Sequence, residues 1–234
     1  MTTHKVDLTR QYSTDDKTVP QLLLSIFGNN NHYAMAKTVA GEVTYAPVRQ
    51  KLTEELIREH LEGKLTLGAY HLDAESNVRW LGWDVDSTDI PTARKYAEKI
   101  LARLHDIPKV VEFSGSKGYH ILVFLERPIP AIQAKQIVDF VRDAEALPKT
   151  GKSHVENFPK QAKLDKSLPM GSLLKLPLGE HPRTHNRSMF VDVSNGWEQG
   201  AALDPLPLLQ QRVNPDVLIQ LMRGTVDVYK QIVE

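Results

Sequence analysis

Asp84 and Asp86 stand two positions apart at the end of the apolar run Leu81-Gly82-Trp83-Asp84-Val85-Asp86. Read as a β-strand, that run sends both carboxylates out of the same face, roughly 7 Å apart. Acids placed in this way suit a pair of divalent cations about 3.5–4 Å from each other, a demand that core packing does not make. A second feature lies further on, in Ser114-Gly115-Ser116-Lys117-Gly118. Its glycines permit a concave backbone, its amides and hydroxyls can donate to phosphate oxygens, and its lysine can neutralise them. Such Gly/Ser/Lys loops are also ordinary hairpin connections. The nearby carboxylate pair, and His120 just after the loop, shift the reading towards phosphate.

These residues need elements to hold them. The strand Val78 to Asp86 runs into a helix start, with Thr88 or Asp89 as cap, Pro91 in the first turn, and Ala93, Tyr96, Ala97, Ile100 and Leu104 on one face. Lys109 to Phe113 and Tyr119 to Leu125 read as a hairpin across the 114–118 loop. A helix over 131–146 follows, with Ile132, Ile137, Val138 and Val141 inward, and then a polar, Lys-rich stretch over 148–170 without clear period. Leu173 to Leu176 and Ser188 to Val193 give two further short strands. From Val78 to Leu176 the order is therefore β-α-β-β-α-β, the split βαβ or ferredoxin-like pattern.

In such sheets the first and third strands are central neighbours, so His120 should face the two carboxylates. Alternation turns Tyr119, Ile121 and Val123 towards the helices and leaves His120, Leu122 and Phe124 on the open face. The fourth strand is expected to carry Lys175 beside the first, and the next hairpin to bring Asp192 into the same place. Trp80 and Trp83, and the leucines at 22–24 and 206–209, read as core.

Composition narrows the chemistry. The 234 residues carry 29 Lys+Arg and 29 Asp+Glu, so nucleic-acid affinity has to come from clustered charge. Absence of cysteine excludes disulfides, thiolate zinc sites and a cysteine nucleophile. There is no apolar leader and no run of about 20 apolar residues, which points to a cytoplasmic protein with no membrane partner. We expect four segments, all one catalytic unit. Residues 1–19 form an arm, 20–75 an N-terminal α/β subdomain, 76–204 an RRM-like catalytic subdomain, and 205–234 a helical segment. In the N-terminal part, Leu56, Ile57, His60 and Leu61 fall at helical spacing before Gly63, and a short strand spans 67–72.

Three blocks together carry a resemblance: Trp83-Asp84-Val85-Asp86, then Ser114-Gly115-Ser116-Lys117-Gly118-Tyr119-His120, then Leu173-Leu174-Lys175-Leu176-Pro177 through His181-Pro182-Arg183-Thr184 to Phe190-Val191-Asp192. In order and spacing they resemble the archaeo-eukaryotic primase superfamily, over about residues 20–200. The blocks resemble the catalytic subunit of eukaryotic primase. Val155-Glu156-Asn157-Phe158-Pro159-Lys160-Gln161 and the stretch from His60 to Tyr70 look closer to primase-polymerases of bacterial conflict and CRISPR-associated systems. Where many relatives have Ser-x-His, this chain has Gly118 two before His120; Ser114, six before it, fits the eukaryotic form.

The resemblance implies an α+β primase-polymerase catalytic domain that adds nucleoside triphosphates to a primer on a single-stranded DNA template. It implies two Mg²⁺ or Mn²⁺ ions held by Asp84, Asp86 and Asp192. It also implies a triphosphate held by Ser114, Gly115, Ser116, Lys117, His120 and Lys175, with Arg187, and a template along Lys160, Lys163, Lys166 and Arg183. Replication or CRISPR proteins are the partners it suggests. Other readings stay open on the residues alone. Asp86 also suits a helix cap, Asp192 a turn, and the three lysines a solvated loop. A split βαβ sheet can bind single strands without catalysis, and similar acids serve nucleases and phosphohydrolases.

Overall fold

The computed structural model describes residues 18–28, 30–194, 197 and 203–223. Nearly all of the 1–19 arm, and residues 224–234 of the closing segment, lie outside the described residues.

The chain folds around two antiparallel sheets. The first begins with α1 (Thr18–Phe27), the hairpin β1 (Tyr33–Val39) and β2 (Glu42–Val48), α2 (Glu54–Leu61) and β3 (Leu67–Tyr70). Ala40 and Gly41, both at positive φ, make the two-residue turn that matches strand twist in a tight hairpin. Thr53 caps α2 by accepting from the Leu56 N–H. The second sheet is built from β4 (Asn77–Asp86), α3 (Ile90–Arg103), β5 (Val110–Phe113), β6 (Gly118–Pro130), α4 (Ala131–Ala144) and β7 (His154–Phe158). Its strand order is β7-β4-β6-β5, the antiparallel split βαβ arrangement, with the short β9 (Met189–Phe190) added beside β5.

Asp89 is the cap of α3, its Oδ1 accepting from the Thr92 N–H at 2.8 Å, and Pro91 lies in the first turn. Asp86 therefore does not serve as that cap. Ala93, Ala97 and Ile100 form the buried stripe of α3, at the spacing of one helical face.

The fourth strand of the sheet departs from expectation. β8 (Leu173–Lys175) is a strand, but it pairs with β3 and completes the first sheet in the order β2-β1-β3-β8. The place beside β4 is taken by β7, from the stretch that looked aperiodic. In that strand Val155 faces the helix layer while Glu156 faces a polar cleft, so its hydrophobic signal is thin. The N-terminal sheet is accordingly not contiguous in sequence, since it borrows residues 173–175.

Alternation gives the second sheet two cores. Leu81, Trp83, Val85, Tyr119, Ile121 and Val123 pack under α3 and α4. Trp80, Leu122, Phe124, Val110 and Phe158 pack against α1 and the first sheet. The face read as open is thus roofed by the N-terminal part over much of its area. Both tryptophans have no exposed surface, and Trp83 Nε1 donates to the Val138 carbonyl at 3.1 Å. Leu23 and Leu209 are also core. α5 (Pro205–Gln210) is short, and helical turns cover 215–223. Among the described residues no helix is long and apolar enough to cross a membrane.

Candidate active site

Where the roof stops, the sheet shows a row of charged side chains. Glu156 of β7, Asp84 of β4, His120 of β6 and Glu112 of β5 are successive cross-strand partners, so they share the face opposite the helices. Asp86 stands two residues beyond Asp84 on that face. The row opens into a cleft of about 410 Å³. Asp84, Asp86, His120, Glu156 and Lys175 line it together with Ser114, Ser116 and Lys117 of the β5–β6 loop. Val43, Tyr45, Phe158, Leu173 and Leu174 give it an apolar wall, and His181 to Thr184 close one side.

Local geometry fixes the loop. Ser114 Oγ accepts from the N–H groups of Ser116 and Gly118, each at 3.3 Å, which leaves its O–H to donate into the cleft. Gly115 sits at φ +86°, and a Cβ there would lie 2.8 Å from the Asn186 carbonyl. At Gly118 a Cβ would lie 2.2 Å from the Val85 carbonyl, so only glycine lets β6 approach β4 beside Asp86. Thr184 Oγ1 donates to the Gly115 carbonyl at 2.6 Å, joining the loop to the 181–184 turn.

The electrostatics follow from crowding charges in a half-dry place. Burial, and then Asp86 and Glu156, push the Asp84 carboxyl up to about 6, against the opposing pull of His120. Its Oδ1 lies 3.5 Å from His120 Nε2, too far for a good hydrogen bond, and has no hydrogen-bond partner although buried. His120 Nδ1 meets Glu112 Oε2 at 2.6 Å. Burial opposes charge on His120, but the Asp84 and Glu112 carboxylates outweigh it and raise its pKa. Burial likewise acts to raise Glu112, but Lys175 and His120 overcome it and hold that acid down at about 2. Lys175 is lowered by burial despite Glu112 and Asp84.

An orphaned buried carboxylate oxygen among like charges is a cation-seeking arrangement. All-oxygen donors suit Mg²⁺ or Mn²⁺, which bind through one or two carboxylates and complete their shells with water and substrate phosphates. Among the described residues no three His, Asp or Glu side chains are grouped to hold a metal ion. Asp84 and Asp86 offer two carboxylates to such an open site.

Two expectations, for Asp192 and Arg187, are corrected by geometry. Asp192 does not join the other two acids. It follows β9 at the far edge of the sheet, three strand spacings or about 14 Å from β4, in a separate cleft with Val110, Val191 and Leu208. Its Oδ1 accepts from the N–H and Oγ–H of Ser194, the bonding of a turn residue. Arg187 does not face the site, because its guanidinium donates to the carbonyls of Leu61 and Leu178. Lys160, Lys163 and Lys166 do not line the cleft. Lys160 pairs with Glu156 at 2.6 Å over the Phe158 ring, and the other two are exposed. Arg183 is at the cleft, and Gly115 shapes its loop without lining it. Sequence reasoning gave no role to Glu156, Glu112, Tyr45 or His181. An acid inside the alternating His154-Val155-Glu156-Asn157-Phe158 was the available signal for the first, and a Glu within the apolar Val110-Val111-Glu112-Phe113 for the second.

The family model described as the TOTE conflict system archaeo-eukaryotic primase domain matches residues 29–210. The chain belongs to this primase family. The match spans every strand and every residue of the charged row. Among solved structures, the archaeo-eukaryotic primase domain of the cyanophage S-2L primase-polymerase is similar, with TM-score 0.51 and 14% identity over 88% of this chain and 97% of that one. The likeness is one of fold. The polymerase domain of Mycobacterium tuberculosis Ligase D, solved in complex with DNA, gives TM-score 0.48 and 16% identity over 94% of this chain and 88% of that one. No curated protein matches the chain.

Proposed function

We propose that this chain is a template-directed nucleotidyltransferase, a DNA primase or polymerase that transfers the nucleotidyl group of a nucleoside triphosphate to a 3′-hydroxyl and releases pyrophosphate. The observation that carries this reading is the cleft in which an acidic row meets a Ser/Lys loop and a buried lysine. Nucleases share the acids, but they have no need of the Ser114–His120 loop or Lys175.

Asp84 and Asp86 would hold the divalent ions, with Glu156 adding negative charge beside them. When bound, such ions activate the attacking hydroxyl and steady the leaving pyrophosphate. The protein's own part is placement and charge neutralisation. Ser114, Ser116 and Lys117 donate to phosphate oxygens from one end of the cleft, His120 from the second sheet and Lys175 from β8 of the first. The apolar wall of Tyr45, Phe158 and Leu174 excludes water and suits the base. Arg183 at the rim, with the lysines of the 160–166 loop, would lie along the template.

Incubation with Mn²⁺, a labelled nucleoside triphosphate and single-stranded DNA, with and without an annealed primer, tests the reading. Ribonucleotides and deoxyribonucleotides are run in parallel. Elongated products that vanish in Asp84→Ala are expected; strand cleavage, or synthesis untouched by that substitution, would sink it.

A further inference from the structure

Glu112 is an acid of the row that the mechanism above leaves without a task. Its side chain has no exposed surface, so it cannot touch substrate. Both of its oxygens are engaged. Oε2 takes the Nδ1 hydrogen of His120 at 2.6 Å, while Oε1 accepts from the Leu178 N–H at 2.8 Å and lies 3.8 Å from Lys175 Nζ. Lys175 Nζ in turn donates to Ser188 Oγ at 2.7 Å, and Ser188 Oγ donates to the Gly179 carbonyl at 3.0 Å. One carboxylate thus joins β6, β8 and the chain just after β8.

We propose that Glu112 is a positioning residue for the triphosphate subsite. By taking Nδ1–H it turns His120 Nε2 into the cleft, and by anchoring Lys175 and Leu178 it fixes the opposite phosphate donor relative to that ring. The inference rests on the reading of His120 and Lys175 as phosphate ligands. Its physical basis is that groups behind a binding side chain set its orientation; behind metal-ligating side chains, loss of such a partner characteristically weakens the site about 10–100-fold, and the same scale is expected here. A carboxylate present only to neutralise a buried lysine would make no demand on the His120 ring.

The test uses the full chain, with inorganic triphosphate and Mg²⁺ as probe and calorimetry as readout. Glu112→Gln should bind triphosphate at least about tenfold more weakly than the wild type. In the extension assay its KM for nucleotide should rise more than its kcat falls. In the wild type, ¹⁵N NMR of the His120 ring, assigned by its loss in His120→Gln, should show hydrogen on Nδ1 and an Nε2 resonance that moves when triphosphate is added. That measurement decides the matter even if Glu112→Gln does not fold. Unchanged triphosphate binding by folded Glu112→Gln, or a bare Nδ1 in the wild type, overturns the proposal while leaving the cleft's function standing. Failure of the wild type to bind triphosphate overturns both.

Discussion

Asp84 shows how a single side chain sets stability against chemistry. Its carboxyl is raised from an ordinary 3.8 to about 6, so the folded chain takes up a proton that the unfolded chain refuses between those values. Stability is therefore greatest below pH 3.8 with respect to this group, and is lost as pH rises through 6. Asp84→Asn should abolish nucleotide addition yet stabilise the protein at pH 7.5 by about 2 kcal/mol, the side chain's 18% exposure moderating the gain. Thermal melts at pH 7.5 and below pH 4 check this, since the advantage should disappear in acid. The weight of Glu156 against Asp192 is equally open to test. Glu156→Gln should slow extension by about a hundredfold or more, whereas Asp192→Asn should leave the rate within about twofold, as expected of a turn residue. Asp84, Asp86, His120 and the 114–118 loop could be placed together from sequence because period-two alternation and one hairpin sufficed. Glu112 and Asp192 could not, because their positions depend on which strands become neighbours, and that is decided by packing far away in sequence.

At the scale of elements, β-α-β-β-α was legible because each piece carried a clear period and a cap or turn residue. The fourth strand was not. Leu173-Leu174-Lys175 is the more strand-like segment to the eye, yet it serves the other sheet, and the half-polar 154–158 segment fills the gap. His60 ties these pieces together. Its Nε2 donates to the Leu176 and Pro177 carbonyls at 3.0 and 3.2 Å, and its Nδ1 accepts from the Leu67 N–H at 3.1 Å. With Nδ1 already accepting a hydrogen bond, the ring is held neutral, and burial pushes its pKa down to about 3. Because the unfolded chain takes the proton first, stability contributed here is present above pH 6.5 and falls as pH drops towards 3, by about 2 kcal/mol at pH 5. His60→Ala should cost about 2–4 kcal/mol at neutral pH and flatten that acid dependence, as urea titrations at several pH values can show.

For the whole molecule, equal numbers of acids and bases mean that no general field draws nucleic acid in. On the proposed function, template affinity would depend on a local cluster, and the exposed side chains of Lys163 and Lys166 offer the cleanest place to thin it. Replacing both with alanine should weaken single-stranded DNA binding about equally for all sequences. It should also lower the salt slope by about 0.7 for each phosphate left unneutralised, measured by fluorescence anisotropy across a salt series.

The strand lent by residues 173–175 reaches beyond architecture to the timing of synthesis. A nascent chain that has emerged only as far as residue 170 still has β3 with an unsatisfied border, and it lacks the lysine that shares Glu112. The first sheet is therefore completed, and Glu112 gains its lysine, only after residues 173–175 have been added.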